Sequence, residues 1–488
     1  MEGLSPKSDT AEIVTFAPQK STFKAMNYDV IVIGSGPGGY VAAIRASQLG
    51  KKVAVVEKAE IGGVCLNWGC IPTKALLKSA QVFNYTKHAS DYGISISGEV
   101  KPDFSAVISR SRVVADGMSK GVQFLFKKNK IELINGFGSI RPGKMVEVTK
   151  SDGSKATYQA AHIILATGAR SRELPSMKID GKKIVGYREA MTLPKQPASM
   201  VVVGSGAIGS EFAYFYNSMG TKVTLVEYLP NILPLEDEEI SKQLERSFKK
   251  AGMTIMTSST VEHVDTGGDM CKVTISTKKG KEIVEAEVVL SAVGVATNLE
   301  GLGLEETGVA FKNGKVIVDE YYRTNVEGIY AIGDIVHGPA LAHTASHEGI
   351  TCVEAFCGLH TEPLDYGNIP SCTYTSPEVA SVGMTEKQAI EAGYEIKVGK
   401  FPFSASGKAS AAGNKDGFVK VIFDAKYGEW LGCHMIGDNV TEMIAEAVAA
   451  RKLETTGHEI IKTIHPHPTM SEAIMEATAA AFGEVIHL

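Results

Sequence analysis

The stretch VIGSGPGGYVAAIRASQLGKKVAVVE, Val32 to Glu57, returns 170 residues later as VVGSGAIGSEFAYFYNSMGTKVTLVE, Val202 to Glu227. Each copy opens on a β-branched run (YDVIVIG, SMVVVG), passes through G-x-G-x-x-G into a helical stretch, and ends in a second apolar run closed by a glutamate. The glycines are Gly34, Gly36 and Gly39 in the first copy and Gly204, Gly206 and Gly209 in the second. In both, the acid stands 18 residues after the last glycine. The first glycine makes a tight turn, the second admits a pyrophosphate, and the third lets helix and strand approach. The helix N-terminus then offers free N–H groups and its dipole to phosphate, and Glu57 and Glu227 are placed to accept from ribose hydroxyls. One such motif is weak evidence. Two complete units at a constant offset predict an α/β chain with two Rossmann-like dinucleotide-binding domains.

Two sites of this kind suit a flavoprotein that works with a nicotinamide partner. Glu227 favours NAD over NADP, because a carboxylate repels a 2′-phosphate where an NADP site more often shows arginine.

Directly after the first unit comes GGVCLNWGCIPTK, Gly62 to Lys74, with Cys65 and Cys70 five residues apart. In a regular helix that spacing separates two residues by about 7.5 Å along the axis, beyond the roughly 7 Å Cα limit for a disulfide. A bond between them therefore needs a distorted first turn, which Gly69 and Pro72 permit. Strain would make such a bond easy to reduce, and a helix start favours a thiolate. Half of a zinc site and inert thiols are the alternatives; no second CxxC or HxxxH supplies the missing ligands. Cys352 and Cys357 share the spacing but lie in HEGITCVEAFCGLH, with no glycine or proline between them. They read as thiols on one helix, pointing about 140° apart.

Near the end, TIHPHPTMSE places His465 and His467 among prolines on an extended segment, with a helix expected from Thr469. Thr469 and Glu472 fit the capping box S/T-x-x-E. On a functional reading Glu472 also holds a histidine in one tautomer, making it an acid–base for thiols. No metal site is expected from the two histidines.

The 488 residues imply several domains. A net charge of −5 gives no basic footprint for nucleic acid, and no apolar run reaches the roughly 18 residues of a membrane span. Residues 1–26 read as a flexible tail: they hold Glu2, Asp9 and Glu12 but no arginine, unlike a transit peptide, and no secretory core. Seven cysteines, odd and sparse, argue against a secreted disulfide framework and for a cytoplasmic setting.

GSGPGG, GGVCLNWGCIPTKAL, ILATGAR, VVVGSGAIGSEF, GIYAIGDI with GPALAHTASHEG, IPSCTYTSPEVASVG and HPHPTMSEA stand in that order. Over roughly residues 27–488 the chain resembles the pyridine nucleotide–disulfide oxidoreductases, and within them the branch that oxidises protein-bound dihydrolipoyl groups with NAD⁺. The resemblance implies an FAD-binding domain begun by residues 27–168, an NAD-binding domain at 169–290, a return segment at 291–358 and a C-terminal α+β dimerisation domain at 359–488. IPSCTYTSPEVASVG would open that last domain as a strand, and TEMIAEAVAARKL would be an amphipathic helix.

By the same resemblance, Gly34 to Gly39, Glu57, Lys74, Gly138, Thr167, Gly168, Ala169, Asp334, Leu341, Ala342 and His343 would contact FAD. Gly204 to Glu211, Glu227, Val261 and Gly294 would line the NAD site. Lys74 and Glu211 would pair beside the flavin, Cys70 would be the flavin-proximal sulfur and Cys65 the interchange sulfur. His467, oriented by Glu472, would be the acid–base and would act on the disulfide of the other subunit of a homodimer. The implied partner is a lipoyl-bearing acyltransferase or a glycine-cleavage carrier protein. A glutathione reductase-like enzyme and a non-catalytic flavin-bound assembly subunit are the alternatives. Glu227 argues against the first, and an intact Cys65, Cys70 and His467 set against the second. Two departures stand out. Gly294-Val295-Ala296-Thr297-Asn298 replaces a common Gly-Arg-x-Pro-Asn, and Trp68 replaces a small aliphatic residue between the cysteines.

Overall fold

The computed structural model describes residues 26–488. The expected tail lies outside the described residues, apart from Met26, which opens the first strand. Both repeats fold as the sequence requires. Met26–Ile33 and Val53–Glu57 pair in parallel across helix α1 (Pro37–Gln48). Ser199–Val203 and Lys222–Val226 do the same across the helix Ala207–Met219.

The first unit seeds a seven-stranded sheet. Glu132–Asn135, Val53–Glu57, Met26–Ile33 and Lys155–Leu165 run parallel, Met145–Thr149 and Phe137–Arg141 add an antiparallel edge, and Ile329–Ala331 returns to pair with Lys155–Leu165. The second unit seeds a parallel sheet in the order Thr254–Met256, Lys222–Val226, Ser199–Val203, Val288–Ser291, Ile184–Val185. Strands covered on both faces read as continuous apolar runs, and Val30 to Val32 and Met200 to Val202 are fully buried.

A third sheet, antiparallel, follows: Ser371–Thr373, Glu378–Gly383, Trp430–Gly437, Phe418–Asp424, Ile396–Pro402. The stretch IPSCTYTSPEVASVG is therefore not one strand but two antiparallel ones, because Ser376–Pro377 breaks the ladder between them. The expected amphipathic helix is Val440–Lys452.

The second and third sheets are joined through a buried cation. Lys420, 1% exposed, donates to both oxygens of Asp237 at 3.0 Å and to Glu239 at 3.1 Å, and pairs with Glu386 at 2.7 Å. Asp237 also caps the helix Glu238–Lys250. Burial raises its carboxyl, but the Lys420 charge and hydrogen bonds outweigh this and hold it below the usual carboxylate range. Its stabilising contribution is thus present at neutral pH and lost as pH falls through that depressed value. Lys420→Met strands the Asp237 charge, and breaking a buried pair costs about 3–5 kcal/mol. The urea midpoint at pH 7 should fall, and the gap to the wild type should narrow in acid; an unchanged midpoint would remove this junction from the stability account.

Candidate active site

The two phosphate loops are near copies in three dimensions. Gly34 and Gly204 take φ of 105° and 94°, which side chains disfavour. A Cβ on Gly39 would stand 2.0 Å from the Gly34 carbonyl oxygen, and one on Gly209 1.9 Å from that of Gly204. Gly36 and Gly206 face open space: a Cβ there would meet nothing within 4 Å. This is the room a pyrophosphate needs over a helix N-terminus, so both loops fit a dinucleotide.

The acids are held more tightly than their spacing reveals. Ser35 donates to Glu57 Oε2 through its amide (2.9 Å) and hydroxyl (2.6 Å), and the Ala59 amide donates to Oε1 at 2.9 Å. Ser205 and the Leu229 amide hold Glu227 in the same way, at 2.8, 2.6 and 2.8 Å. A carboxylate offers about four lone-pair sites, so Oε1 of each acid keeps one for a ribose hydroxyl. The serine at the first x of both glycine motifs is the sequence signal for this clamp.

The cysteine turn lies against the first loop. A Cβ on Gly63 would come 2.7 Å from Gly36 Cα. Helix α2 (Gly63–Asn67) stops at Trp68, and α3 (Cys70–Lys87) starts afresh after Gly69. A Cβ on Gly69 would press on the Val64 carbonyl oxygen (3.1 Å) and Cys65 Cα (3.3 Å). The expected distortion is thus a full break between helices, and it brings the sulfurs together. Both are half-buried free thiols here, and each acts on the other's titration. Cys65 holds Cys70 below the ordinary thiol range, aided by the Lys74 charge; Cys70, with burial, drives Cys65 up. Cys70 is therefore the readier thiolate.

Lys74, on the next turn of α3, reaches Glu211 in the second unit at 2.9 and 2.8 Å. Glu211 is 4% exposed and also accepts from the Tyr374 amide at 3.0 Å, while the Tyr374 ring lies 4.3 Å from Lys74 Nζ. Tyr374 follows the first strand of the third sheet, so elements of all three units meet at this ion pair. No local pattern in SCTYTSPEVA announces that role.

The remaining expected contacts fall in two groups. Thr167 Oγ1 donates to the Asn298 carbonyl (2.7 Å), Asn298 Nδ2 donates back to Thr167 O (3.0 Å), and Ala169–Ser171 pairs with Val295–Thr297. Gly168 and Gly294, each at positive φ with open space around, flank this brace. Gly138 packs on Val56 and Ile33 at the end of the first sheet, and Val261 is buried under the second. Asp334 is half-buried and its carboxyl is raised by burial against the pull of Lys315. Leu341 caps the helix Ala342–Phe356, and His343 bonds the Pro370 carbonyl at 3.0 Å. Next to them the Thr344 hydroxyl is buried without a partner, a polar group that suits a bound ligand. Cys352 is buried within that helix and Cys357 sits at its end.

His467 and His465 separate sharply. His467 Nδ1 meets Glu472 Oε1 at 2.8 Å with its ring 78% exposed, which leaves Nε2 as the accepting nitrogen when Nδ1 carries the proton. The His465 side chain is only 6% exposed, bonded to Glu446 Oε1 (2.7 Å) and the Thr463 carbonyl (3.1 Å), and raised chiefly by Glu446. The helix expected from Thr469 begins instead at Glu472. Only half of the capping box forms: the Thr469 amide donates to Glu472 Oε2 at 2.8 Å, but its hydroxyl turns to the Pro466 carbonyl.

Residues 28–349 match the family described as pyridine nucleotide-disulphide oxidoreductase, and residues 369–478 match that family's dimerisation domain. The chain belongs to this family. It is 51% identical to a dihydrolipoyl dehydrogenase of Rhizobium etli, covering 95% of this chain and 100% of the relative. It is 47% identical to one of Zymomonas mobilis (95% and 100%) and 45% identical to one of Bacillus subtilis (95% and 100%). Among solved structures it is similar to LpdA of Mycobacterium tuberculosis, with a TM-score of 0.86 at 27% identity over 93% of this chain and 99% of that one. The chain is thus an oxidoreductase whose cofactors are FAD and NAD. Among the described residues no helix is long and apolar enough to cross a membrane.

The open space at Gly206 separates folding from binding. Gly206→Ala, at φ −63°, should leave the unfolding midpoint within about 0.5 kcal/mol of wild type. It should weaken NADH binding by about 1–3 kcal/mol, the scale of one carbon forced into filled space. Titration calorimetry showing unchanged NADH affinity would place the nucleotide elsewhere.

Proposed function

We propose that the chain is an FAD-dependent dihydrolipoyl dehydrogenase that oxidises protein-bound dihydrolipoamide with NAD⁺ as a homodimer. The observation that carries this is the Cys65/Cys70 pair seated on the first phosphate loop, with Lys74 and Glu211 tying it to the second. Glu227 at the ribose position of the second loop supports NAD over NADP.

In the proposed sequence His467, held through Nδ1 by Glu472, takes the proton of one dihydrolipoyl thiol at Nε2. Its exposure suits action on the partner's disulfide. The new thiolate attacks Cys65 Sγ, the Cys65–Cys70 bond breaks, and Cys70 leaves as a thiolate eased by the Lys74 charge. The second lipoyl thiol then attacks the lipoyl sulfur of the mixed disulfide and closes the lipoyl ring; its proton passes to Cys65, which leaves as a thiol beside the Cys70 thiolate. Bound FAD supplies the acceptor for the electron pair left on Cys65 and Cys70 and the means of passing a hydride to NAD⁺. Lys74 and Glu211 would stand beside that transfer; Asp334 and the Leu341–His343 stretch would hold FAD, and Thr167–Ala169 with Gly294 would shape the passage between the two nucleotides.

The partner that presents the lipoyl group is then the acyltransferase of a 2-oxoacid dehydrogenase assembly or a glycine-cleavage carrier protein. The setting is cytoplasmic, where the five cysteines outside the Cys65/Cys70 pair stay reduced. Steady-state turnover tests the reading: dihydrolipoamide with NAD⁺ should far exceed dihydrolipoamide with NADP⁺ and glutathione disulfide with NADPH. A preference for the last pair would replace this function with a glutathione reductase-like one. His467→Gln should keep its flavin and lose about 10²–10⁴-fold of dithiol oxidation, the span of general acid–base catalysis; equal activity would remove His467 from the chemistry.

A further inference from the structure

Trp68 occupies the turn between the two cysteines, and its surroundings are unusual. The Arg112 guanidinium, from α4 (Phe104–Lys128), lies over its ring at 4.3 Å, and that of Arg188 at 4.4 Å. The indole Nε1 is buried with no hydrogen-bond partner. The side chain is therefore held by its ring, through cation–π contact with two cations, rather than by its N–H.

The same groups grip the rest of the turn. Arg112 Nη2 donates to the Asn67 carbonyl at 2.5 Å, and Asn67 Nδ2 donates to the Ile61 and Gly63 carbonyls at 2.9 Å. Ser119, also on α4, donates to the Ile61 carbonyl at 2.8 Å. Arg188 pairs with Glu60 at 3.2 Å. Arg188 sits on the short helix Tyr187–Ala190, which follows a strand of the second sheet. One face of the grip thus comes from the flavin half and the other from the nicotinamide half.

We propose that Trp68, gripped by Arg112 and Arg188, is a positioning residue for Cys65 and Cys70: it fixes the turn between them and so sets how readily their disulfide closes. This rests on the reading of the two cysteines as a redox pair. Two thiols whose separation a fixed turn sets have a high effective concentration for each other. Loosening the turn lowers it, disfavours the disulfide, and moves the couple to a more oxidising potential. An aliphatic side chain at position 68 gives the guanidiniums no π face to hold.

The test is a redox titration of the full-length, flavin-loaded protein in anaerobic dithiothreitol buffers. Cys65 and Cys70 lose two protons and two electrons as their S–S bond forms, while the S–S bond of cyclic dithiothreitol opens to its dithiol. Acid quench, alkylation and mass spectrometry then read the Cys65–Cys70 disulfide directly. Trp68→Ala and Arg188→Ala should each need about tenfold more oxidised buffer for half-closure, about 30 mV for a two-electron couple. Trp68→Phe keeps a ring and should fall between wild type and Trp68→Ala. The double variant Trp68→Ala/Arg188→Ala should shift no further than Trp68→Ala alone, because both remove one interaction. Arg188 is half-exposed, so its variant keeps the test valid if Trp68→Ala folds poorly. Titration of both single variants with wild type, or fully additive shifts, would overturn the proposal. A wild type that closes no Cys65–Cys70 bond at any buffer ratio would instead overturn the redox reading beneath it.

Discussion

The whole arrangement depends on one backbone contact, glycine on glycine. Gly63, at the start of the cysteine turn, lies so close to Gly36 in the first phosphate loop that a single methyl group would not fit between them. Whatever the loop binds is therefore adjacent to the cysteines by construction. Gly69 adds a second close approach, which lets α3 start anew so that two residues five apart can act on each other. The chemistry of the site follows from these two absences of a Cβ.

From this contact the structure extends outward through charge. Lys74 follows Cys70 by one turn and carries the first half to Glu211 in the second, where Tyr374 brings in the third sheet. A deeply buried carboxylate is tolerable only when paired, so Glu211 locks the relative placement of all three units. Lys420 and Asp237 repeat the device farther out. The Arg188–Trp68 contact is another link between the first and second units, and it ends directly on the cysteine turn.

Much of this was legible. A motif written twice at a fixed offset gave both nucleotide folds, and glycine beside Cys70 gave a distorted helix start, though not the full break, because each depends on neighbours in sequence. What was not legible depends on residues brought from far away. Nothing near Lys74 points to Tyr374, and nothing near Asp237 points to Lys420. His465 and His467 have almost identical local surroundings; what divides them is Glu446, on another helix, which claims one, and Glu472, which claims the other. The misplaced helix start has the same origin. Glu472 serves His467 as well as the Thr469 amide, and the Thr469 hydroxyl is diverted to Pro466, so the cap that local sequence suggested is only half made.

The central claim is that electrons reach the flavin from a dithiol only through Cys65 and Cys70. Anaerobic stopped-flow absorbance of the Cys65→Ser protein measures this most directly. Dihydrolipoamide should leave its flavin band intact, while NADH should still bleach it at close to the wild-type rate. Bleaching of that variant by dihydrolipoamide as fast as in wild type would contradict the account.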